Sequence, residues 1–198
     1  MTEKEKMIAG KVYNCLDEEL STALRKAKQL CHKYNDIFFE DEAAAKKIID
    51  ELLQAEHNDG YCVFTPSFWC DYGFNIKVGK NFYSNHNLVI LDCAEVCFGD
   101  NVFIGPNCGF YTAIHPIDAG QRKMEIEWAK PIKVGNDVWF GGSVTVLPGV
   151  TIGDNVVIGA GSVVVKDIPS GVVAVGNPCK PIRKITEADK LNLNDPNV

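Results

Sequence analysis

Four histidines, His32, His57, His86 and His115, are the first candidates for acid–base chemistry. An imidazole is mostly neutral near pH 7 and can accept a proton there. His115 stands in the stretch YTAIHPID, at the edge of a charged segment, where a residue exposed in a cleft is expected. From position alone it is either a general base or a turn histidine with satisfied hydrogen bonds. His32 and His57 read as surface residues of a helical region. Lys166, Lys180, Arg183 and Lys184 form a basic cluster in a chain whose formal net charge is −6. That cluster is either a solvated face or a site for the oxygens of a phosphorylated ligand. Gly141-Gly142-Ser143-Val144-Thr145 is not a nucleophile elbow, because no strand-to-helix turn follows it. Gly159-Ala160-Gly161 is not a dinucleotide loop, because no helix follows for a phosphate to cap. The eight cysteines (15, 31, 62, 70, 93, 97, 108 and 179) make no CxxC pair and lie in apolar surroundings. They read mostly as buried small hydrophobes, and no metal site is expected.

The bulk properties bound what could position these groups. A chain of 198 residues fits one domain with a small appendage, and 46% hydrophobic residues can fill a core. The acidic balance argues against nucleic acid as a partner. The opening MTEKEKMIAG is charged at once, and no run approaches the roughly 18 apolar residues of a membrane span. A cytoplasmic protein without a membrane partner is expected.

Residues 1–58 read as a helical cap. Ile8, Val12, Leu16, Leu20, Leu24, Ala27, Leu30 and Tyr34 recur at spacings of three and four and predict one amphipathic helix. Asp41 predicts the N-cap of a second helix, which Asn58-Asp59-Gly60 would end. From about residue 59 to 185 the period changes to six. Val134, Phe140, Val146, Ile152, Ile158 and Val164 form one register, with Val138, Val144, Val150, Val156, Ser162 and Ile168 four positions later. Val78, Ser84 and Ile90 repeat it earlier, and after a slip of two residues Phe98, Ile104 and Phe110 continue it. Neither a helix nor a sandwich strand needs a six-residue period, whereas a hexapeptide β-helix does. Three units, each one short strand and one corner, close a triangular coil. The repeating aliphatic points inward and stacks on its equivalent about 4.8 Å above. Residues 116–131, PIDAGQRKMEIEWAKP, break the sixes and predict a protruding loop. After Ile168-Pro169 the chain is expected to unwind, and residues 186–198 to form a polar tail with a short helix. The fold class is thus mainly β, a parallel β-helix with an amino-terminal helical cap.

The chain resembles the hexapeptide-repeat sugar O-acetyltransferases of the maltose and galactoside acetyltransferase family. The resemblance spans residues 3 to about 185. It rests on EKEKMIAGKVY, FWCDYGFNI, KNFYSNHNL, TAIHPID, VGNDVWFGGSV, PGVTIGDNVVIGAGSVVVKDIP and GNPCKPIRKI. It implies a left-handed coil, a homotrimer with active sites between subunits, and acetyl-CoA as acetyl donor. His115 then matches the catalytic base. Asn85 matches the residue that orients the acceptor, with Tyr83 beside it, and the Gly142 N–H is the candidate oxyanion donor. Asp71, Asp92 and Glu127 are expected at the acceptor. Trp139, Gly142, Ala160, Lys166, Lys180 and Arg183 match positions around coenzyme A, which gives the basic cluster a purpose. The galactoside branch tends to be acidic at two acceptor positions where this chain has Cys15 and Cys93, and the CDYG wording looks closer to the maltose branch. The implied reaction is acetyl transfer to a hydroxyl, expected to be primary, of a sugar such as maltose, glucose or a galactoside. Two rivals remain: an acyltransferase for an amine or antibiotic, and a non-catalytic solenoid scaffold.

Overall fold

The computed structural model describes residues 1–55 and 60–193. The repeat region is a parallel β-helix. Strands Val138–Phe140 and Val156–Ile158 pair in parallel with Val138 opposite Val156 and Phe140 opposite Ile158. Strand Ile132–Val134 pairs likewise with Thr151–Ile152. Strand Thr145–Val146 pairs with Val163–Val164. Successive coils therefore repeat every 18 residues, three hexapeptides each. The three faces are stacks of seven, five and four strands, here called the long, middle and short faces. Both aliphatic registers point inward: Phe140, Val146, Ile158 and Val164 are fully buried, as are Val138, Val144, Val156 and Ser162. Val78, at the start of the earlier block, is only half-buried. The lower core is aromatic. Phe64, Phe82, Phe98, Phe110 and Phe140 stack with centroids 4.7 to 5.2 Å apart.

Two of the three corners are three residues long and follow one recipe. In Gly99-Asp100-Asn101 a Cβ on Gly99 would come within 2.8 Å of the Gly135 backbone one coil above, so the first position must be bare. The third position is left-handed at Asn101 (φ +58°), Asp137 (φ +57°) and Asn155 (φ +52°), a conformation Asn and Asp tolerate. Their side chains form a ladder in which Asn81 donates to Asn101 at 2.9 Å and Asn101 to Asp137 at 2.9 Å.

The third corner, from the middle to the short face, is irregular, and it accounts for the slip in the sequence. Eight residues, not six, separate Cys70 from Val78 and Ile90 from Phe98, and these two widened corners lie one above the other. Twenty-four residues separate Phe110 from Val134 on the next coil, because the loop leaves here. It contains a short helix, Ala119–Arg122, and a strand, Ile126–Ala129. That strand pairs antiparallel with Ala113–Ile114 and with Tyr13–Asn14 from the amino terminus.

The cap differs from the single helix predicted. It begins as α1 (Glu3–Ile8), breaks at Gly10 (φ +66°), passes through strand Tyr13–Asn14 and restarts as α2 (Glu18–Ile37) behind an Asp17 N-cap. Ile8, Val12 and Leu16 are exposed in consequence, whereas Leu20, Ala27, Leu30 and Tyr34 are buried. Helix α3 (Glu42–Leu53) is capped by Asp41 as expected. It ends earlier than expected, at Gln54 in left-handed conformation; Asn58 and Asp59, and also His57, lie outside the described residues. Helix α2 closes the open lower edge of the coil with polar side chains. Tyr34 Oη donates to Phe64 O (2.8 Å), Asn35 both accepts from Phe68 N (2.8 Å) and donates to Phe68 O (3.1 Å), and Lys28 Nζ donates to Cys70 O (2.8 Å). An unpaired strand edge is thereby satisfied. At the other end the coil runs further than expected. Val172–Val175 still stacks in parallel on Val156–Ile158, and only Lys180–Lys184 folds back antiparallel over it. A one-turn helix, Glu187–Asp189, follows. No described helix is long and apolar enough to cross a membrane.

Phe110 touches aromatic neighbours in the coils on both sides. Replacing it by Ala removes a filled volume the rigid coil cannot close, at a cost of about 3–5 kcal/mol. A large fall in the urea unfolding midpoint of Phe110→Ala checks this.

Candidate active site

The irregular corner gathers the titratable residues. Widening a corner takes backbone N–H groups out of register, and Asp92 supplies the acceptor they lack. Its Oδ1 accepts from Asp71 N (3.0 Å) and Tyr72 N (2.8 Å), and its own carbonyl accepts from Asn75 Nδ2 (2.8 Å). Asp92 was expected to meet the acceptor; it is instead fully buried and holds the corner's backbone. Burial pushes its carboxyl up to about 6, with the backbone donors and nearby Asp71 as lesser influences. One coil above, Thr112 anchors the point where the loop departs. Its hydroxyl donates to Leu91 O (2.6 Å) and accepts from Ala94 N (2.9 Å), and its carbonyl accepts from Lys130 N where the loop returns (3.0 Å).

The loop and the amino terminus then bring three groups onto one carboxylate. Ala113–Ile114 aims the exposed His115, whose Nε2 lies 3.4 Å from Glu127 Oε2. Glu127 is 7% exposed. Its Oε1 accepts from Tyr13 Oη in a short hydrogen bond and faces Cys93 Sγ at 3.7 Å. Cys93 Sγ also lies 3.7 Å from Asp71 Oδ2, and Asp71 Oδ1 is paired with Lys28 Nζ at 2.9 Å. A carboxylate oxygen only accepts, so in this contact the imidazole nitrogen facing Glu127 is the donor. His115 thus has the arrangement of a base with an orienting carboxylate. Burial first, then the charges of Asp71 and Glu127, push the Cys93 thiol up. Burial also raises Cys108, whose Sγ donates to Gly141 O at 3.2 Å. Neither is a ready thiolate nucleophile.

The other expected residues sit on the next corner, between the long and middle faces. Asn85 occupies the position that Gly105, Gly141 and Gly159 hold in the coils above, and its N–H donates to Ile104 O at 2.8 Å. It borders a groove of about 400 Å³ with Tyr83, Phe103, Ile104, Gly105 and Trp139. Tyr83, Phe103 and Trp139 stand in register on the outer surface of the long face. Trp139 is 56% and Phe103 43% exposed. The spacing of Phe103 from Trp139 across the loop hid Phe103 from sequence reading, because 36 residues separate partners that 18 or 20 separate elsewhere. Gly142 and Ala160 lie on this corner higher up, where Gly142 O accepts from Gly161 N at 2.9 Å. Lys166, Lys180 and Lys184 are exposed near the top of the coil. Arg183 is not free: its guanidinium holds Asp189 in a pair of contacts at 2.7 and 2.8 Å, which keeps that carboxyl down at about 2.

Within one chain these two sets do not meet. Strand Leu88–Leu91 runs between the Asn85 corner and the Asp92 corner, a span of roughly 13 Å. The residues sequence reading missed are Tyr13, Lys28 and Phe103. Tyr13 lies in a segment read as helix, and nothing in its spacing marks it.

The chain is thus a hexapeptide β-helix with a charged corner, an aromatic groove and a basic crown. Comparison with known proteins narrows this class. Residues 6–56 match the maltose acetyltransferase hexapeptide capping motif, and residues 131–166 match the bacterial transferase hexapeptide repeats. A Saccharomyces cerevisiae relative carrying an acetyltransferase name is 50% identical over 191 residues, 96% of each chain. The crystal structure of a maltose O-acetyltransferase from Clostridium difficile 630 superposes with a TM-score of 0.86 at 46% identity, covering 94% of this chain and 99% of that one. A galactoside acetyltransferase in complex with coenzyme A gives 0.89 at 38% identity, covering 99% and 97%. The chain belongs to the hexapeptide-repeat acetyltransferases of the maltose and galactoside O-acetyltransferase type, and it is an acyltransferase.

The buried Asp92 makes a signed prediction. Its carboxyl titrates near 3.8 when unfolded and at about 6 when folded. Below pH 3.8 both states are protonated and burial costs nothing for charge. As pH rises to 6 the unfolded state ionises first, so stability falls, by about 3 kcal/mol in all. Asp92→Asn keeps the acceptor for Asp71 N and Tyr72 N but does not titrate. The unfolding free energy of the variant minus that of the wild type should climb between pH 4 and 6 and be level above, as urea titrations across that range would measure.

Proposed function

We propose that this acyltransferase moves the acetyl group of acetyl-CoA to a hydroxyl, primary by preference, of a sugar acceptor. His115, exposed and facing the buried Glu127 carboxylate, is the observation that carries the reading. His115 takes the hydroxyl proton on its free nitrogen as the hydroxyl oxygen attacks the thioester carbonyl carbon. A positioned base of this kind contributes about 10² to 10⁴-fold in rate. The Gly142 N–H is the candidate donor to the oxyanion of the tetrahedral intermediate. Collapse of the intermediate breaks the C–S bond, and the leaving thiolate recovers the proton from the imidazolium. Asp71, at the corner beside His115, is the carboxylate available to sugar hydroxyls. The suppressed thiols of Cys93 and Cys108 favour direct transfer over an acyl-cysteine intermediate. A sugar acceptor is supported by the capping motif and by the name of the Clostridium difficile maltose O-acetyltransferase.

The donor would lie along the Asn85 corner, its acyl end by Gly142 and its phosphates toward Lys166 and Lys180, with Arg183 exchanging Asp189 for phosphate. A general base must stand within about 3 Å of the proton it removes. His115 and Asn85 of one chain are too far apart for that, so the reading requires a complete site built from two copies, as in a homotrimer. The exposed Trp139 and Phe103 suit burial between copies. A cytoplasmic setting, where acetyl-CoA and the reduced cysteines would be at hand, fits the same reading.

Thiol release from acetyl-CoA, followed with a chromogenic disulfide and corrected for the protein's own cysteines, tests the reaction against maltose, glucose, galactosides and amines. Release should depend on a sugar and fall at least a hundredfold in His115→Ala. Near wild-type turnover in that variant would exclude His115 as the base. His115→Ala and Asn85→Ala should each be nearly inactive alone. Co-expressed, they should recover activity through mixed assemblies that carry one intact site; a mixture as inactive as its parents would refute the shared site.

A further inference from the structure

Tyr13 lies far from the repeats, yet its hydroxyl ends on the carboxylate that faces His115. It is 1% exposed, on a two-residue strand whose partners across the sheet are Tyr13 with Glu127 and Asn14 with Ile126. A buried carboxylate is costly unless each oxygen is satisfied. Glu127 has three partners for two oxygens: Tyr13 and Cys93 on Oε1, His115 on Oε2. The thiol is a weak donor and stands 3.7 Å away. Tyr13 is therefore the strong donor that decides which way the carboxylate lies, and hence whether its second oxygen meets the imidazole.

We infer that Tyr13 is a positioning residue for acetyl transfer: its hydroxyl fixes Glu127, and Glu127 fixes the orientation and tautomer of His115. The inference rests on His115 being the general base. The amino-terminal cap then has two duties, closing the coil's lower edge through α2 and completing the catalytic histidine through the strand before it. Burial raises the Tyr13 phenol far above its ordinary range, so it stays a donor at every working pH. The role is one of orientation and not of substrate contact. Its loss should appear in kcat and leave the KM for acetyl-CoA alone, because the donor's proposed binding residues lie on the other corner.

The test is a double-mutant cycle read by thiol release with the best acceptor found. Tyr13→Phe deletes one oxygen and keeps the buried ring, so the variant is expected to fold; an unchanged thermal midpoint within a few degrees and unchanged oligomer size would check that. Tyr13→Phe should lower kcat about tenfold, with the KM for acetyl-CoA within about twofold of wild type. Glu127→Gln should lower kcat further. In the Glu127→Gln background Tyr13→Phe should cost less than twofold: the phenol can still donate to the amide oxygen, but the amide then turns its NH2 and not an acceptor to His115, so fixing it no longer holds the imidazole in the required tautomer. An equal loss in both backgrounds would mean that Tyr13 only docks the cap, and would overturn the inference. So would wild-type kcat in Tyr13→Phe. Should Tyr13→Phe fail to fold, Glu127→Gln alone decides: kcat undiminished there removes the link through which Tyr13 acts. Failure of the underlying reading looks different, since His115→Ala would then turn over normally whatever Tyr13 does.

Discussion

The backbone of each coil is hydrogen-bonded to the coil above, and that register governs every other feature of the molecule. It sets the six-residue period, because each strand must lie under its equivalent. It sets the corner chemistry, because a Cβ on Gly99 or Gly105 would collide with the backbone of the next coil. It also makes departures conspicuous. Two residues added to a regular corner cannot be absorbed by a neighbour; the whole corner must bulge outward, and its stranded N–H groups need new acceptors. Asp92 meets that need by burying a carboxylate at the cost of raising its proton affinity. The titratable residues around His115 are therefore gathered where the register is broken, at one edge of an otherwise regular prism.

The same constraint explains what could be read from residues alone. The coil was legible because inward positions recur without exception from Val134 to Val164, and no other architecture demands that period. The two-residue slip near Ile90 was visible as arithmetic, although its meaning, a widened corner repeated on two coils, needed the pairing of Cys70 with Ile90 and Val78 with Phe98. His115 could be singled out as a candidate because it stands where the period fails. The cap was misread because Leu20, Ala27 and Tyr34 share a helical face with Ile8, Val12 and Leu16 only in projection; the helix stops after Ile8 and restarts at Glu18, which leaves Val12 and Leu16 outside both helices. Asp92 and Glu127 were both expected at the acceptor, but both are buried, and burial at a corner depends on the coil above and on the returning loop. Tyr13 could not have been found, since a two-residue strand has no period.

The ribbon of Ala113–Ile114, Ile126–Ala129 and Tyr13–Asn14 is the only sheet among the described residues whose pairings are all antiparallel. Its position gives the long loop a physical role. A long excursion from a rigid corner, residues 112–131, would by itself leave His115 on a hinge. Pairing the returning strand with the departing one restricts the loop, and pairing it again with the amino terminus fixes its tilt. The restriction is local: Ile117 and Met124, at the loop's outer part, remain exposed, whereas Glu127 and Ala129 are buried at its base. Order is thus concentrated where the imidazole needs it. The outer loop keeps the apolar side chains of Ile117 and Met124 unburied. Backbone pairing restrains the residues it joins, so the ribbon fixes the base of the loop, where Glu127 faces His115.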